Sequence, residues 1–257
     1  MPAAPRARDK ETIAGFAKGL RVIEAFDAGR PRLTITEIAG LTGLERATAR
    51  RCLLTLVRDG YAGFDGKFYW LTPKVLRLGF AYLSSTPLPR LVQPYLEQLA
   101  TATDESCSAS TLDGAEIVYI ARASQKRVMS IGLSVGSRLP AYCASMGRVL
   151  LAAKPAGERR ALLARIEPAK LTPRTLTDGA ALAEAIEDAR RDGFAIVDQE
   201  LEIGLRAIAV PVLDAAGKVV AAINIGAQAE RVSLERMRAE FLPLMRRVQG
   251  ELQRLLV

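Results

Sequence analysis

Histidine is absent from this chain of 257 residues. Without an imidazole, the protein cannot form a Ser-His-Asp triad, a Cys-His nucleophile pair or a histidine-based zinc site. The sequence also lacks a phosphate-binding Walker loop, a dinucleotide-binding glycine fingerprint and a nucleophile elbow. These absences predict a protein that is not an enzyme and that has no catalytic residue, no bound metal and no cofactor.

Cysteines are few, and long apolar runs are missing. Cys52, Cys107 and Cys143 are far apart in apolar surroundings, which argues against a disulfide framework. No run approaches the roughly 18 apolar residues that a membrane-spanning helix needs, and the N-terminus lacks the apolar core of a signal peptide. We therefore expect a cytoplasmic protein with no membrane partner.

Positive charge is concentrated near the N-terminus. Residues 1–80 contain 14 Lys or Arg and 8 Asp or Glu. Residues 81–257 contain 22 Lys or Arg and 20 Asp or Glu, which is nearly balanced. A local basic excess favours binding to a polyanion, because association releases the counterions of the polyanion. The length favours about two domains.

Residues 16–72 contain, in order, the elements of a winged helix-turn-helix. An apolar helix at 16–26, with a predicted buried stripe, is followed by Thr34 and Glu37, which match a capping box. Gly40 and Gly43 end this second helix. The residues of the second helix that are expected to face inward are Ile38, Ala39 and Leu41. A wing follows at 61–71, where Asp65-Gly66 predicts a two-residue hairpin turn.

The third helix, at 45–59, is the predicted recognition helix. An arginine on its exposed side can bond guanine in the major groove, and a threonine can contact a phosphate or a thymine methyl group. An isolated Arg-Arg pair is more often a solvated basic face, but here the preceding helix and turn favour DNA. The predicted DNA-contacting residues are Thr34, Thr36, Arg46, Ala47, Thr48, Arg50, Arg51, Arg58 and Lys67.

The rest of the chain alternates strands and helices, which indicates an α+β fold. We expect strands at 107–112, 117–120, 128–133, 194–197, 207–213 and 219–225. We expect helices at 90–103, 142–153, 158–165, 180–192 and 233–256. The predicted domains are therefore a DNA-binding domain at 14–74, a linker helix at 75–90 and a larger domain at 91–257.

Within the larger domain, residues 132–148 combine a glycine-bearing loop with a predicted helix start. Free backbone N–H groups at a helix start bind anions readily. Arg138 is placed to pair a ligand carboxylate, with hydroxyl contacts from Tyr142 and Ser145. The alternative is that Arg138 pairs with a structural acid such as Glu200 or Glu202 and that Tyr142 is a core residue. The local sequence leaves both interpretations open.

Residues 36–51, 134–152 and 198–212 resemble the IclR family of bacterial transcription regulators. The resemblance covers nearly the whole chain. The segment 134–152 is similar in detail to the PcaR, PcaU and PobR branch, which controls aromatic-acid breakdown through the β-ketoadipate pathway.

This resemblance implies an N-terminal winged helix-turn-helix, a linker helix and a C-terminal GAF-like effector-binding domain. It implies a regulator, more typically an activator, that binds promoter DNA and a small aromatic or dicarboxylic acid. Protocatechuate, 4-hydroxybenzoate and β-ketoadipate-pathway intermediates are the expected effectors. A homodimer or a dimer of dimers is expected, and RNA polymerase is a further candidate partner.

In the family, effectors sit in a cavity between the sheet and the loop-helix segment. The matching positions here are Gly136, Arg138, Ala141, Tyr142, Cys143, Ser145, Asp198, Glu200, Leu205, Ala207, Ala209, Asn224 and Gly226. Some relatives have Cys or Ser on the last two strands, where this chain has Ala207, Asn224 and Gly226. Three alternatives remain at this stage, namely a repressor of another catabolic operon, a GAF-like binding protein whose helix-turn-helix serves only dimerisation, and a global DNA-binding protein that responds to no ligand.

Overall fold

The computed structural model describes residues 12–27, 29–124 and 133–256. The chain separates into two compact units, Met1–Tyr82 and Leu83–Val257. The elements from the first helix to the linker are α1 (Ala14–Glu24), α2 (Ile35–Thr42), α3 (Arg46–Arg58), β1 (Ala62–Phe64), β2 (Tyr69–Leu71), a 3-10 turn (Pro73–Val75) and α4 (Leu76–Ser85).

The start of α2 has the predicted capping box. The Thr34 hydroxyl accepts the Glu37 N–H at 3.3 Å, and the Glu37 carboxylate accepts the Thr34 N–H at 2.7 Å. Gly43 ends the helix with a φ of 65°, a left-handed conformation that glycine adopts without strain. The core beneath these helices consists of Val22, Leu33, Ile38, Ala39, Ala49, Leu53 and Tyr69.

Three apolar residues predicted to be buried in this unit are exposed. Phe16 and Leu20 on α1 are 68% and 39% exposed, and Leu41 on α2 is 46% exposed. Helix α1 packs on α3, and Phe16 and Leu20 line an open groove between these two helices. The predicted buried stripe of α1 is therefore only partly covered within the unit.

The wing turn also differs from the prediction. Strands β1 and β2 pair from Phe64 opposite Tyr69, so four residues, 65–68, connect them instead of two. The Asp65 carboxylate accepts the backbone N–H groups of Lys67 and Phe68 at 3.0 and 2.8 Å. This side-chain turn closes the hairpin in place of a tight two-residue turn.

The second unit contains a six-stranded sheet covered by helices. The helices are α5 (Leu88–Thr103), α6 (Ser145–Ala152), α7 (Ala156–Leu163), α8 (Gly179–Asp192), α9 (Leu234–Arg236) and α10 (Leu242–Leu255), with a 3-10 turn at Ala141–Cys143 and a π turn at Met237–Phe241. The strands are β3 (Ser106–Asp113), β4 (Glu116–Ala123), β5 (Arg138–Pro140), β6 (Ala195–Asp198), β7 (Leu205–Leu213) and β8 (Val219–Gln228).

The strands run antiparallel in the order β5-β4-β3-β8-β7-β6. Helices α5 and α10 cover one face of the sheet, and α6 and α8 cover the other. Successive residues of a strand point to opposite faces of the sheet. Ile223 therefore belongs to the core on the α5 and α10 side, and Ala222 belongs to the core on the α6 and α8 side. Asn224 therefore points to the α6 side.

Residues 128–132 of the predicted strand at 128–133 lie outside the described residues. In the structure, the strand that pairs with β4 on this side is β5. The predicted helix at 142–153 is divided, because a 3-10 turn precedes α6. The predicted final helix is interrupted by the π turn before α10.

Candidate functional site

The exposed side of α3 carries unpaired arginines. Ala49 and Leu53 are buried on the inner side of the helix, so the opposite side faces solvent. Among the residues that the structure describes, Arg46, Arg50 and Arg51 have no carboxylate within ion-pair distance. These guanidinium groups are free to bond phosphates or base edges.

The other predicted DNA-contacting residues differ in exposure and in whether their side chains already have a partner within the protein. Ala47 and Thr36 are exposed, whereas Thr48 is half-buried beside α1. Arg58 pairs with the neighbouring Asp59 at 2.9 Å. The hydroxyl of Thr34 donates to the Glu37 carboxylate at 2.7 Å, so capping already occupies the side chain that was predicted to contact DNA.

The wing presents two cations. Lys67 lies at its tip, 5.0 Å from the centre of the Phe68 ring. Arg32, which sequence reasoning missed, lies over the rings of Phe68 and Trp70 at 5.4 and 5.1 Å and pairs with Asp65. A cation over aromatic rings is held in place more firmly than a free surface side chain.

A cleft in the second unit lies between the sheet and the segment that leads into α6. It contains about 600 Å³ of empty space, including the solvent at its mouth. The residues that line it are Ser106, Ser108, Tyr119, Arg122, Leu133, Leu139, Cys143, Ala144, Ser145, Met146, Val197, Leu201, Leu205, Ala207, Asn224 and Gly226. Concave, mostly apolar spaces with a few convergent polar groups are typical of small-molecule sites.

Strand register builds the floor of this cleft from two rows of paired residues. The first row runs across three strands from Arg122 through Ser108 to Asn224. The second row consists of Ser106, Gly226, Ala207 and Val197. Because the second row has small side chains, space remains above the sheet for a ligand.

Arg122 is the charged group of this floor. Its Nη1 donates to the Ser108 Oγ at 3.2 Å, and no described carboxylate lies within ion-pair distance of it. Burial raises the pKa of the neighbouring Tyr119 to about 12, although the charge of Arg122 lowers it in part. The Tyr119 hydroxyl is therefore protonated at neutral pH and can donate beside the guanidinium.

Two buried polar atoms in the cleft have no hydrogen-bond partner among the described residues. They are Ser145 Oγ and Asn224 Oδ1. Ser145 is 2% exposed and Asn224 is 9% exposed. A buried polar group left unpaired costs about 1–3 kcal/mol, so these atoms indicate a place where a ligand can supply the missing contacts.

Arg138 is not part of the cleft, in contrast to the prediction. It pairs in register with Val118 of β4, and its guanidinium donates to Asp113 and Glu116 at 2.7 Å each. These two acids flank the hairpin turn between β3 and β4, which places the guanidinium at an exposed edge of the sheet. Glu200 pairs with Arg148 and is not the partner of Arg138.

Glu200 and Tyr142, also predicted to contact an effector, form a network beside the roof of the cleft. The buried Arg148 donates to the Glu200 carboxylate at 2.6 Å and to the Tyr142 carbonyl at 3.1 Å. The same carboxylate accepts the Leu176 N–H at 3.1 Å. The Tyr142 hydroxyl donates to the Ala169 carbonyl at 2.8 Å. This network joins α6 to the loops that precede α8 and follow β6.

Asp198 also lies outside the cleft lining, and its carboxylate accepts hydrogen bonds from two arginines. Arg206 bonds it at 2.7 Å and Arg174 at 2.6 Å. Burial alone would raise the pKa of Asp198, but these two guanidinium groups together hold that pKa below its usual value. The aspartate is a structural anion.

The 3-10 turn approaches α6 so closely that only glycine fits at one position. A Cβ atom on Gly147 would lie 2.1 Å from the Ala141 carbonyl oxygen. This packing fixes the preceding segment over the sheet. Cys143 projects from it into the cleft, and burial, aided by the Glu200 charge, raises the pKa of that thiol to about 11.

Of the remaining predicted positions, five line the cleft and three do not. Those that line it with Cys143 are Ser145, Leu205, Ala207, Asn224 and Gly226. Gly136 has a φ of 89° in the turn before β5, and its N–H donates to the Tyr119 carbonyl. Ala141 packs under Gly147, and Ala209 is buried below α6.

Sequence reasoning missed the polar residues of β3 and β4. A signal for them exists, because Ser106 and Ser108 alternate with the buried Cys107 and Ala109, and Arg122 is the one charged residue between 117 and 123. A single charge in an apolar strand needs a specific partner.

No group of three or more described residues has the composition and spacing of a metal site. Within the same residues, every helix is too short or too polar to cross a bilayer.

Two family descriptions match the chain. The IclR helix-turn-helix domain matches residues 16–66, and the C-terminal domain of the bacterial transcriptional regulator IclR matches residues 80–253. The matches and the observed strands and helices confirm the predicted fold class, an α+β chain with an N-terminal helix-turn-helix and a C-terminal effector-binding domain.

Individual relatives cover nearly the same length. The chain is 48% identical over 238 residues to the Pca regulon regulatory protein of Pseudomonas putida, covering 92% of this chain and 82% of that protein. It is 39% identical over 253 residues to the p-hydroxybenzoate hydroxylase transcriptional activator of Acinetobacter baylyi, covering 96% and 93%.

A solved structure resembles the second unit. It is a double mutant of the inducer-binding domain of the PobR transcription factor from Acinetobacter, in complex with 3-hydroxybenzoic acid. The sequence identity is 34% and the TM-score is 0.62, with 65% of this chain and 98% of that chain covered.

Proposed function

This chain belongs to the IclR family of bacterial transcriptional regulators, and we propose that it controls genes of aromatic-acid breakdown in response to a small carboxylic acid. It is a DNA-binding regulator and not an enzyme. The gene targets follow from the roles of its relatives, which regulate the Pca regulon and p-hydroxybenzoate hydroxylase.

The observation that carries the effector proposal is Arg122, which lines a mostly apolar cleft and has no carboxylate within ion-pair distance among the described residues. A ligand carboxylate placed above Ser108 accepts hydrogen bonds from the guanidinium and from the Tyr119 hydroxyl. The apolar walls, which include Met146 and Leu205, then enclose the remainder of the ligand. Arg122 takes the role that sequence reasoning gave to Arg138.

Regulation requires that the effector bind two arrangements of the protein with different affinity. The cleft roof is joined through Arg148 and Glu200 to neighbouring loops, so ligand contacts at Cys143 and Ser145 act on a connected segment. Activation is the favoured outcome because one of the relatives is a transcriptional activator. RNA polymerase is then a partner of the DNA-bound protein.

We propose that the protein acts as a homodimer or a dimer of dimers. Exposed apolar residues on α1 and α4 support this, with Phe16 and Phe80 each 68% exposed and Leu76 74% exposed. Apolar surface of this kind in a soluble protein usually marks an interface. Sedimentation equilibrium of the full chain tests the proposal, and a monomer at micromolar concentration contradicts it.

Replacing Arg51 by Ala should weaken binding to the promoter DNA upstream of the gene about tenfold and reduce discrimination against unrelated DNA, because a base contact is lost.

Replacing Lys67 by Ala should weaken binding to promoter DNA and to unrelated DNA alike, because a phosphate contact is lost. The slope of the logarithm of the binding constant against the logarithm of the salt concentration should fall in magnitude by about one. Fluorescence anisotropy at several salt concentrations measures both effects.

The matched control is Arg247→Ala, which removes an exposed arginine from α10 in the second unit. It should leave DNA affinity unchanged. If the parent protein does not bind its own upstream DNA at low salt, the helix-turn-helix serves only dimerisation. If Arg51→Ala and Arg247→Ala behave alike, α3 is not the recognition helix.

A further inference from the structure

We propose that Arg32 binds in the minor groove of the DNA beside α3 and favours A·T base pairs there. This arginine precedes α2 in the chain, but backbone pairing attaches its segment to the wing. The inference rests on the proposed function, in which α3 enters the major groove, and adds a second source of sequence preference.

The segment before α2 is paired with the second strand of the wing. Leu33 donates to the Tyr69 carbonyl at 2.9 Å and accepts the Tyr69 N–H at 2.8 Å, so it lies beside β2 as a further strand position. Leu33 and Tyr69 are both buried in the core of this unit. Because neighbouring residues of an extended chain point to opposite faces, Arg32 lies with Phe68 and Trp70 on the outer face.

Aromatic rings hold the guanidinium of Arg32 on this outer face. Its Cζ atom lies 5.4 Å from the centre of the Phe68 ring and 5.1 Å from that of Trp70. Trp70 is itself held against β1, because Gly63 lies directly opposite and a Cβ atom there would lie 2.3 Å from the indole. A guanidinium packed on two rings has little conformational freedom and little bound water to lose on binding.

Arg32 keeps donors for a ligand. Its side chain is 53% exposed, and among the described residues its hydrogen-bond partner is Asp65, which Nη2 contacts. Asp65 is needed for the wing turn, because it accepts the N–H groups of Lys67 and Phe68. Its charge would repel DNA, and the charge of Arg32 offsets that repulsion. The Nε and Nη1 groups of Arg32 can then donate to base edges.

The chemistry of this group suits an A·T-rich minor groove. The wing follows α3 directly in the chain, so we expect it to meet the DNA next to the groove that α3 enters. A narrow A·T-rich minor groove has an enhanced negative potential that attracts arginine. A G·C pair instead places the amino group of guanine, a donor, against the donors of Arg32. Arginine is also less strongly hydrated than lysine, so it enters such a groove at lower cost.

Substitution of inosine for guanine tests the inference. Inosine lacks the amino group that guanine places in the minor groove, but it keeps the major-groove acceptors that α3 would read. Two duplexes of the DNA upstream of the gene, with guanine or with inosine throughout the footprint of the protein, are compared by fluorescence anisotropy. The parent protein should bind the inosine duplex about fivefold more tightly, and Arg32→Ala should reduce this ratio to less than about twofold.

Two further variants separate groove binding from charge alone. Arg32→Lys keeps the positive charge and the possibility of pairing with Asp65, so it also serves if the alanine variant disturbs the wing. It should keep the salt dependence of the parent protein but lose the preference for inosine. The matched control is Arg30→Ala, which removes a half-exposed arginine two positions away that pairs with Asp27. This variant should leave the inosine ratio unchanged.

Three results would overturn the inference and leave the regulator assignment intact. The first is an inosine ratio that stays unchanged in Arg32→Ala, whether or not the overall affinity falls, because Arg32 would then contact only phosphates. The second is equal binding of both duplexes by the parent protein. The third is a preference for inosine that Arg32→Lys retains in full. A parent protein that binds neither duplex at low salt contradicts the proposed function itself.

Discussion

Replacing Arg122 by Met should reduce the affinity for the effector about 100-fold. In the proposed complex the substitution removes a charge-assisted pair of hydrogen bonds to the ligand carboxylate, and two such bonds account for a change of this size. Methionine approximately preserves the length of the side chain, so the apolar packing of β4 is retained. Calorimetric titration with the tightest-binding acid measures the change.

The matched control is Arg138→Met on the neighbouring strand. This arginine pairs with Asp113 and Glu116 at an exposed edge, so its removal should change effector affinity by less than about threefold. The opposite pattern, with a large loss in Arg138→Met and little change in Arg122→Met, would restore the carboxylate site that the sequence alone predicted.

Replacing Arg148 by Met should reduce the free energy of unfolding of the second unit by about 4 kcal/mol. The side chains of Arg148 and Glu200 are 5% and 9% exposed, and the substitution leaves the Glu200 carboxylate buried without its counter-ion. Urea unfolding of the full chain, followed by far-UV circular dichroism, measures the loss. The single tryptophan, Trp70, lies in the wing, so its fluorescence transition reports on the first unit and should not move.

A second substitution tests the cause. Adding Glu200→Gln to Arg148→Met removes the buried charge and keeps an acceptor for the Leu176 N–H, so it should recover roughly half of the lost stability. Arg174→Met, which breaks an ion pair whose arginine is 56% exposed, should cost no more than about 1 kcal/mol. Additive effects of Arg148→Met and Glu200→Gln would contradict the coupling of this pair.

Local patterns predicted the helices well. The capping box at Thr34 and the helical periodicity of α3 involve residues within a few positions of one another, so the sequence contains the interacting partners side by side. The wing turn was predicted less well. The Asp65 side chain bonds the backbone two and three residues ahead, and this contact competes with the two-residue turn that Asp-Gly favours.

The candidate effector site was predicted only in part. The resemblance indicated Cys143, Ser145 and Asn224, which line the cleft in the structure. It also indicated Arg138, because this cation lies beside the loop-helix segment in the sequence. The structure gives that cation acidic partners from the β3 and β4 hairpin, which are more than twenty positions away in the chain.

The sequence by itself determined the class of the protein, since the order of helix, turn, helix and wing, the local basic excess and the absence of histidine are all properties of the chain read in one dimension. Only the tertiary structure decided which arginine lines the cleft. Strand register places Arg122, Ser108 and Asn224 in one row although they are distant in sequence, and each arginine is neutralised or left free by the groups that folding brings near it.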